Sequence, residues 1–188
     1  CPDGGPCVER TEPLSGIRYS LPATDPVRLR IARERAGFRD QSLAVQRWHE
    51  VLGAQPDPAG LRAFHDRSAL GLMGRAPAEF AALSRIVDQA ERGERPLDSA
   101  VSAYFPTVLT TLARPVTPEG LGAVLGTIWD RLAPDITPRQ QWELGQLIWA
   151  YLRGRTPARS ALDHARELLA RSPHTDLTEQ LDDQAESL

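Results

Sequence analysis

TPEGLGAVLGTIWDRLAPDITPRQQWELGQLIWAYLRGRTPARSALDHARELL, Thr117 to Leu169, decides the fold. Three times, at intervals of about twenty residues, a threonine and a proline precede a run of apolar residues at helical spacing. A threonine oxygen can accept from the unpaired amides of a first helical turn, and proline suits the first helical position because it has no N–H to leave unpaired. TPEG at Thr117, TPRQ at Thr137 and TPAR at Thr156 therefore read as helix starts. Behind them Leu121, Val124, Leu125, Ile128 and Leu132 share one face, as do Ala161, Ala165, Leu168 and Leu169. The helix between carries two stripes, Leu144, Leu147, Ile148 and Tyr151 on one and Trp142, Gly145, Trp149 and Leu152 on the other. So wide an apolar surface predicts a central helix packed on two sides.

The same signals extend outward. Asp25–Pro26 and Asp57–Pro58 repeat the start rule, and Ala76–Pro77 does so more weakly. Leu61, Phe64, Ser68 and Leu72 form one stripe, and Phe80, Leu83, Val87 and Ala90 another. Between Leu97 and Ala113 the pattern meets Pro106, which removes an amide and disfavours helix at Phe105, so a break or kink is expected there. The prediction is an all-α fold, a bundle or short stack of about seven to nine antiparallel helices with short connections. It occupies residues 26–188 as one helical domain, after an extended N-terminal tether over residues 1–25. Within that proline- and glycine-rich tether only IRYSL, Ile17 to Leu21, alternates like a strand.

Composition excludes several chemistries. The 188 residues include no lysine and no asparagine, so all 22 basic residues are arginine. Both missing types have A-rich codons, as a GC-rich bacterial genome would dictate. A phosphate-loop lysine, a Schiff base and an N-linked glycan are all ruled out within this chain. No apolar run approaches the ~18 residues that span a bilayer. The net charge of −3 is unevenly spread: Arg28, Arg30, Arg33, Arg35, Arg39 and Arg47 crowd one segment, whereas Asp176, Glu179, Asp182, Asp183 and Glu186 stand at the end with no base. These faces are solvated or attract one another, or the basic one, with Arg28, Arg30 and Arg33, meets anionic lipid or a partner protein. Nucleic acid is not an expected partner, because neutralising its backbone needs a dominant basic face.

The chain starts CPDGGPC, Cys1 to Cys7. With Cys1 first it resembles a mature bacterial lipoprotein, and the resemblance implies a lipid on the Cys1 sulfur, a membrane anchor and an exported location facing the periplasm or the cell surface. Two other readings stand beside it. A Cys1–Cys7 disulfide would close a tight loop that Gly4 and Gly5 permit, and a fragment boundary would carry no meaning. A sulfur in a thioether cannot also pair with Cys7, so lipid and disulfide exclude each other.

Gln141 to Pro173 resembles a tetratricopeptide repeat: Leu144–Gly145 stands in the first helix, Ala161 and Ala165 in the second, and Pro173 at the end. About two extra residues separate the Leu–Gly pair from the alanines. Pro58 to Val87 is similar in outline, with His65 where glycine is usual. The resemblance implies a groove for a peptide or another protein.

No catalytic or cofactor motif appears. His49–Glu50 opens like a zinc-protease helix, but Gly53 stands where the second histidine belongs. His65–Asp66 and Asp163–His164 are neighbours in sequence and so point to different faces of a helix. The glycines of LGAVLG, Leu121 to Gly126, lie inside a stripe and suit close helix packing. Trp142 and Trp149, seven apart on one face, either fill the core or, if exposed, make a binding hot spot. The sequence thus points to a non-enzymatic, lipid-anchored scaffold or adaptor that binds other envelope proteins, without cofactor or metal. The alternative is a small helical enzyme or metal-binding protein with an interhelical site at His49 or His65.

Overall fold

The structure, a computed structural model, describes the backbone over residues 7–11, 18–22, 26–53 and 56–183, and side chains over 34–182 apart from residues 36, 54 and 55. Cys1 lies outside the described residues, as do the side chains of Cys7, Arg28, Arg30 and Arg33. The lipidation, disulfide and basic-patch expectations therefore fall outside them too. β1 (Cys7–Thr11) and β2 (Arg18–Pro22) pair antiparallel, Cys7 opposite Pro22 and Thr11 opposite Arg18, so the alternation at Ile17 to Leu21 falls mostly on β2.

After this ribbon every described element is a helix. Among the described residues the chain forms α1 (Pro26–Leu52), α2 (Pro58–Arg67), α3 (Ala69–Arg75), α4 (Pro77–Glu91), α5 (Leu97–Leu112), α6 (Pro118–Leu132), α7 (Pro138–Leu152), α8 (Ala158–Leu169) and α9 (Thr175–Asp183). The fold is all-α, as the helix-start signals predict. Asp57 Oδ1 accepts from the Gly60 amide at 2.6 Å, and Thr117 Oγ1 accepts from Gly120 N at 3.0 Å. At Thr137 the cap is reciprocal: its hydroxyl takes the Gln140 amide at 3.3 Å, while Gln140 Oε1 takes the Thr137 amide at 2.9 Å.

Four expectations need correction. Thr156 does not cap α8. The backbone stays extended through Pro157 (ψ 149°), which becomes the N-cap itself, and the first-turn amides lie beyond Thr156's reach. Of the break or kink expected at Pro106, the break does not occur: Pro106 is exposed, while Ala100, Tyr104, Val108, Thr111 and Leu112 bury the opposite face of a helix that runs through it. The Leu61–Leu72 stripe is split between α2 and α3, because the helix tightens at Ser68, whose amide bonds to both Phe64 O and His65 O.

The fourth correction concerns α7, which packs on α6 and α8 but has Leu144 as its single fully buried residue. Its second stripe faces outward: Trp142, Trp149 and Leu152 are 66%, 43% and 63% exposed, because nothing else among the described residues packs over that side.

Two cores result. One gathers Ala44, Leu61, Phe64, Leu72, Leu83, Val87, Tyr104 and Val108 from α1 to α5. The other gathers Leu70 with Val124, Leu125, Ile128, Leu144, Ala165, Leu169 and Leu181 from α6 to α9. The short α3 serves both, sending Leu72 to the first and Leu70 to the second. Its first-turn amide at Leu70 is satisfied from α9, by Gln180 Oε1 at 3.1 Å. Its far end meets α6 backbone to backbone. Gly74 O accepts from Thr117 N at 3.0 Å, and a β-carbon added to Gly120 would lie 2.1 Å from that same oxygen.

Candidate functional site

The outward stripe of α7 borders a groove. Where α6 meets α7, glycines stand in place of side chains. A β-carbon on Gly145 would meet the Trp129 ring at 3.3 Å, one on Gly122 would meet Leu152 Cδ2 at 3.1 Å, and one on Gly126 would find no atom within 4 Å. The LGAVLG glycines thus do permit close approach at Gly122 and leave open space at Gly126. The result is an open apolar groove of about 230 Å³ lined by Gly126, Trp129, Gly145, Ile148, Trp149 and Leu152. None of these six residues carries a titratable or nucleophilic group, so the groove can bind but cannot itself move a proton.

The end of α7 supplies charge. The Arg155 amide bonds to Ala150 O at 2.9 Å and the Gly154 amide to Tyr151 O at 2.8 Å, with Gly154 at φ +66°. This paired closure of a helix end requires a left-handed residue, which glycine adopts without penalty. It brings two guanidinium carbons over one indole, Arg153 at 4.9 Å and Arg155 at 4.8 Å from the Trp149 ring centroid. Trp142 and Trp149 stand out in the sequence by their spacing, whereas the arginine pair over Trp149 does not. The legible signal is RGR immediately after an aromatic helix, with glycine fixing the turn between the two bases.

The histidines are separate from the groove. His65 is buried, stacked on Phe80 with ring centroids 4.9 Å apart. Its Nδ1 lies 3.0 Å from Tyr104 Oη and its Nε2 2.9 Å from Ser84 Oγ. Ser84 donates to Phe80 O at 2.9 Å, so its oxygen accepts the Nε2 proton, which leaves Nδ1 to accept from the Tyr104 hydroxyl. Both ring nitrogens are satisfied in a neutral imidazole, and burial, reinforced by nearby Arg62, pushes its pKa down to about 4. Burial likewise raises the Tyr104 hydroxyl's pKa above its ordinary value.

An acid-sensitivity follows. The folded pKa lies below the unfolded one, so the unfolded chain binds the extra proton. The stability linked to His65 is whole above about pH 6.5 and falls as the pH drops toward 4, by about 3 kcal/mol in all. Urea melts of the wild type and of His65→Gln between pH 4 and 7 check this, the variant losing most of the slope over that interval.

The other histidines lie apart. His49 is exposed in the last turn of α1, His164 is partly buried on α8, and His174 Nε2 sits 2.8 Å from Asp135 Oδ2 near the surface. Among the described residues, no group of three or more His, Cys, Asp or Glu side chains is placed to hold a metal ion. No described helix is long and apolar enough to cross a membrane.

One further polar cluster is internal. Arg75 and Asp40 form an ion pair with both side chains 2% exposed. Arg75 also donates Nη1 to Gly71 O at 2.8 Å and Nε to Arg114 O at 3.0 Å. Burial lowers the guanidinium's pKa and Asp40 opposes that shift. The cluster ties α1, α3 and the segment after α5 together, with no opening toward the groove residues.

The family described as protein of unknown function (DUF1722) matches residues 70–181, from within α3 to α9. The groove falls wholly inside this match. No curated protein and no solved structure matches the chain.

Proposed function

This chain belongs to the DUF1722 family over residues 70–181, and we propose from its surface that it acts as a helical adaptor, binding another protein through the α6–α7 groove and catalysing nothing itself. The observation that carries the reading is the exposure of Trp142, Trp149 and Leu152 on one face beside an open apolar groove. Single exposed apolar residues are ordinary on a surface, but two exposed tryptophans on one helix face, one of them lining a concavity, are the composition of an interface centre. The histidine-site alternative has less support, since His65 already spends both ring nitrogens on Tyr104 and Ser84.

Photo-crosslinking in cells tests the reading. A benzophenone side chain at Trp142 should trap a discrete protein adduct, and the adduct should fall about tenfold when Trp149→Ala is added. The same side chain at exposed Arg85 on α4 serves as control. Equal adducts at both positions, or none at Trp142, would reject the adaptor reading.

A further inference from the structure

We infer that the segment seated in the groove is acidic: an apolar side chain of the partner fills the space between Trp129 and Trp149, and carboxylates beside it pair with Arg153 and Arg155. The inference rests on the adaptor reading and adds the chemistry of the partner.

Size argues first. The groove measures about 230 Å³, below the ~300 Å³ floor of pockets that enclose small molecules, so it suits a protruding side chain. It is lined by two indoles, two glycines, Ile148 and Leu152, a concave shape that a flat bilayer surface would leave unfilled.

Charge argues second. On the same helix and its neighbour, Arg139 is paired with Glu143, and Arg159 and Arg166 with Asp163. Arg153 and Arg155 have no carboxylate within 4 Å among the described residues; each lies over the Trp149 ring instead. A guanidinium held over an aromatic ring without a carboxylate partner still has N–H donors to offer, and a carboxylate can take two of them in two-point geometry. The backbone that carries the two bases is locked by the Arg155–Ala150 and Gly154–Tyr151 hydrogen bonds, so the main chain there loses little freedom when an anion docks.

A random peptide library displayed on phage, selected against the full chain, tests the inference. The expected pool is rich in Asp and Glu next to one large apolar residue. Its best peptide should bind about tenfold or more weaker to Trp149→Ala and to Arg153→Glu. The double variant Arg153→Glu with Arg155→Glu should select basic flanks in place of acidic ones. Circular dichroism melts confirm that these surface variants remain folded.

A wild-type pool with basic or uncharged flanks that still depends on Trp149 would overturn the acidic partner and leave the adaptor reading standing. A pool indifferent to Trp149→Ala would overturn both. Binding to phosphatidylserine vesicles that needs Trp149, without peptide selection, would assign the surface to a membrane and overturn the inference. A dimer in sedimentation that Trp149→Ala dissolves would assign it to a second copy, with the same consequence. So would an affinity gain of about tenfold on deleting residues 184–188, which would make the chain's own acidic end the occupant.

Discussion

Gly120→Ala should leave little folded protein. The added β-carbon would lie 2.1 Å from Gly74 O, 2.5 Å from the Gly74 carbonyl carbon and 2.7 Å from Met73 O, all of them backbone atoms with no rotamer to change. Relief requires α6 and α3 to separate. That breaks the Thr117–Gly74 hydrogen bond and withdraws Leu121 and Val124, which stand beside Gly120 on α6, from the second core. Small-to-large changes in cores cost about 1 to 3 kcal/mol where side chains can give way. Here the obstruction is main chain, and a loss of about 4 kcal/mol or more is expected. Gly126→Ala, six residues on in the same helix, is the internal control: its β-carbon meets nothing within 4 Å, so the change should stabilise by about 0.5 to 1 kcal/mol through the backbone entropy of glycine. Denaturant melts of the two variants would move in opposite directions; similar midpoints would contradict the α3–α6 contact.

Asp40→Ala should be nearly as damaging, for an electrostatic reason. It takes away the carboxylate paired with an Arg75 guanidinium that is 2% exposed and whose Nη1 and Nε donate to Gly71 O and Arg114 O. Removing one partner of a buried pair costs about 3 to 5 kcal/mol, because the survivor keeps its desolvation penalty and loses that partner's attraction. Asp40→Leu combined with Arg75→Met should recover part of the loss. It cannot recover all, since the carbonyls of Gly71 and Arg114 then lose their donor. A thermal-denaturation cycle over the two single variants and the double variant reads the coupling. Strict additivity would mean that the pair is not an interacting unit.

What the sequence discloses, and what it withholds, follows from the range of the forces involved. Caps act over three residues, so Asp57, Thr117 and Thr137 are readable from their neighbours alone. Thr156 fails because the backbone stays extended one residue further, which makes Pro157 the N-cap. Pro106 misleads for a related reason: the local cost of proline is real, but an exposed position and a buried opposite face outweigh it. The two stripes of α7 are alike in hydrophobicity, and periodicity cannot say which has a neighbour. Only the arrangement of α6 and α8 shows that Trp142 and Trp149 face out. Asp40 and Arg75 are 35 residues apart and look like two ordinary surface charges in the chain. His65 reads as a candidate ligand until Tyr104 and Ser84, 39 and 19 residues away, are seen to occupy it.

The double allegiance of α3 bears on how the molecule comes apart. Seven residues make too few turns to persist as a helix in water, so α3 exists only while its partners hold it. Those partners lie on both sides: Leu72 belongs with α1, α2, α4 and α5, and Leu70 with α6 to α9, where Gln180 completes its first turn. Neither half can lose its packing without dissolving the element that the other half relies on. Calorimetry should therefore record one unfolding transition, with van't Hoff and calorimetric enthalpies in agreement, in place of two separate melts. Leu70→Ala, placed in one core, should lower the melting point reported by Trp48, which sits against the other.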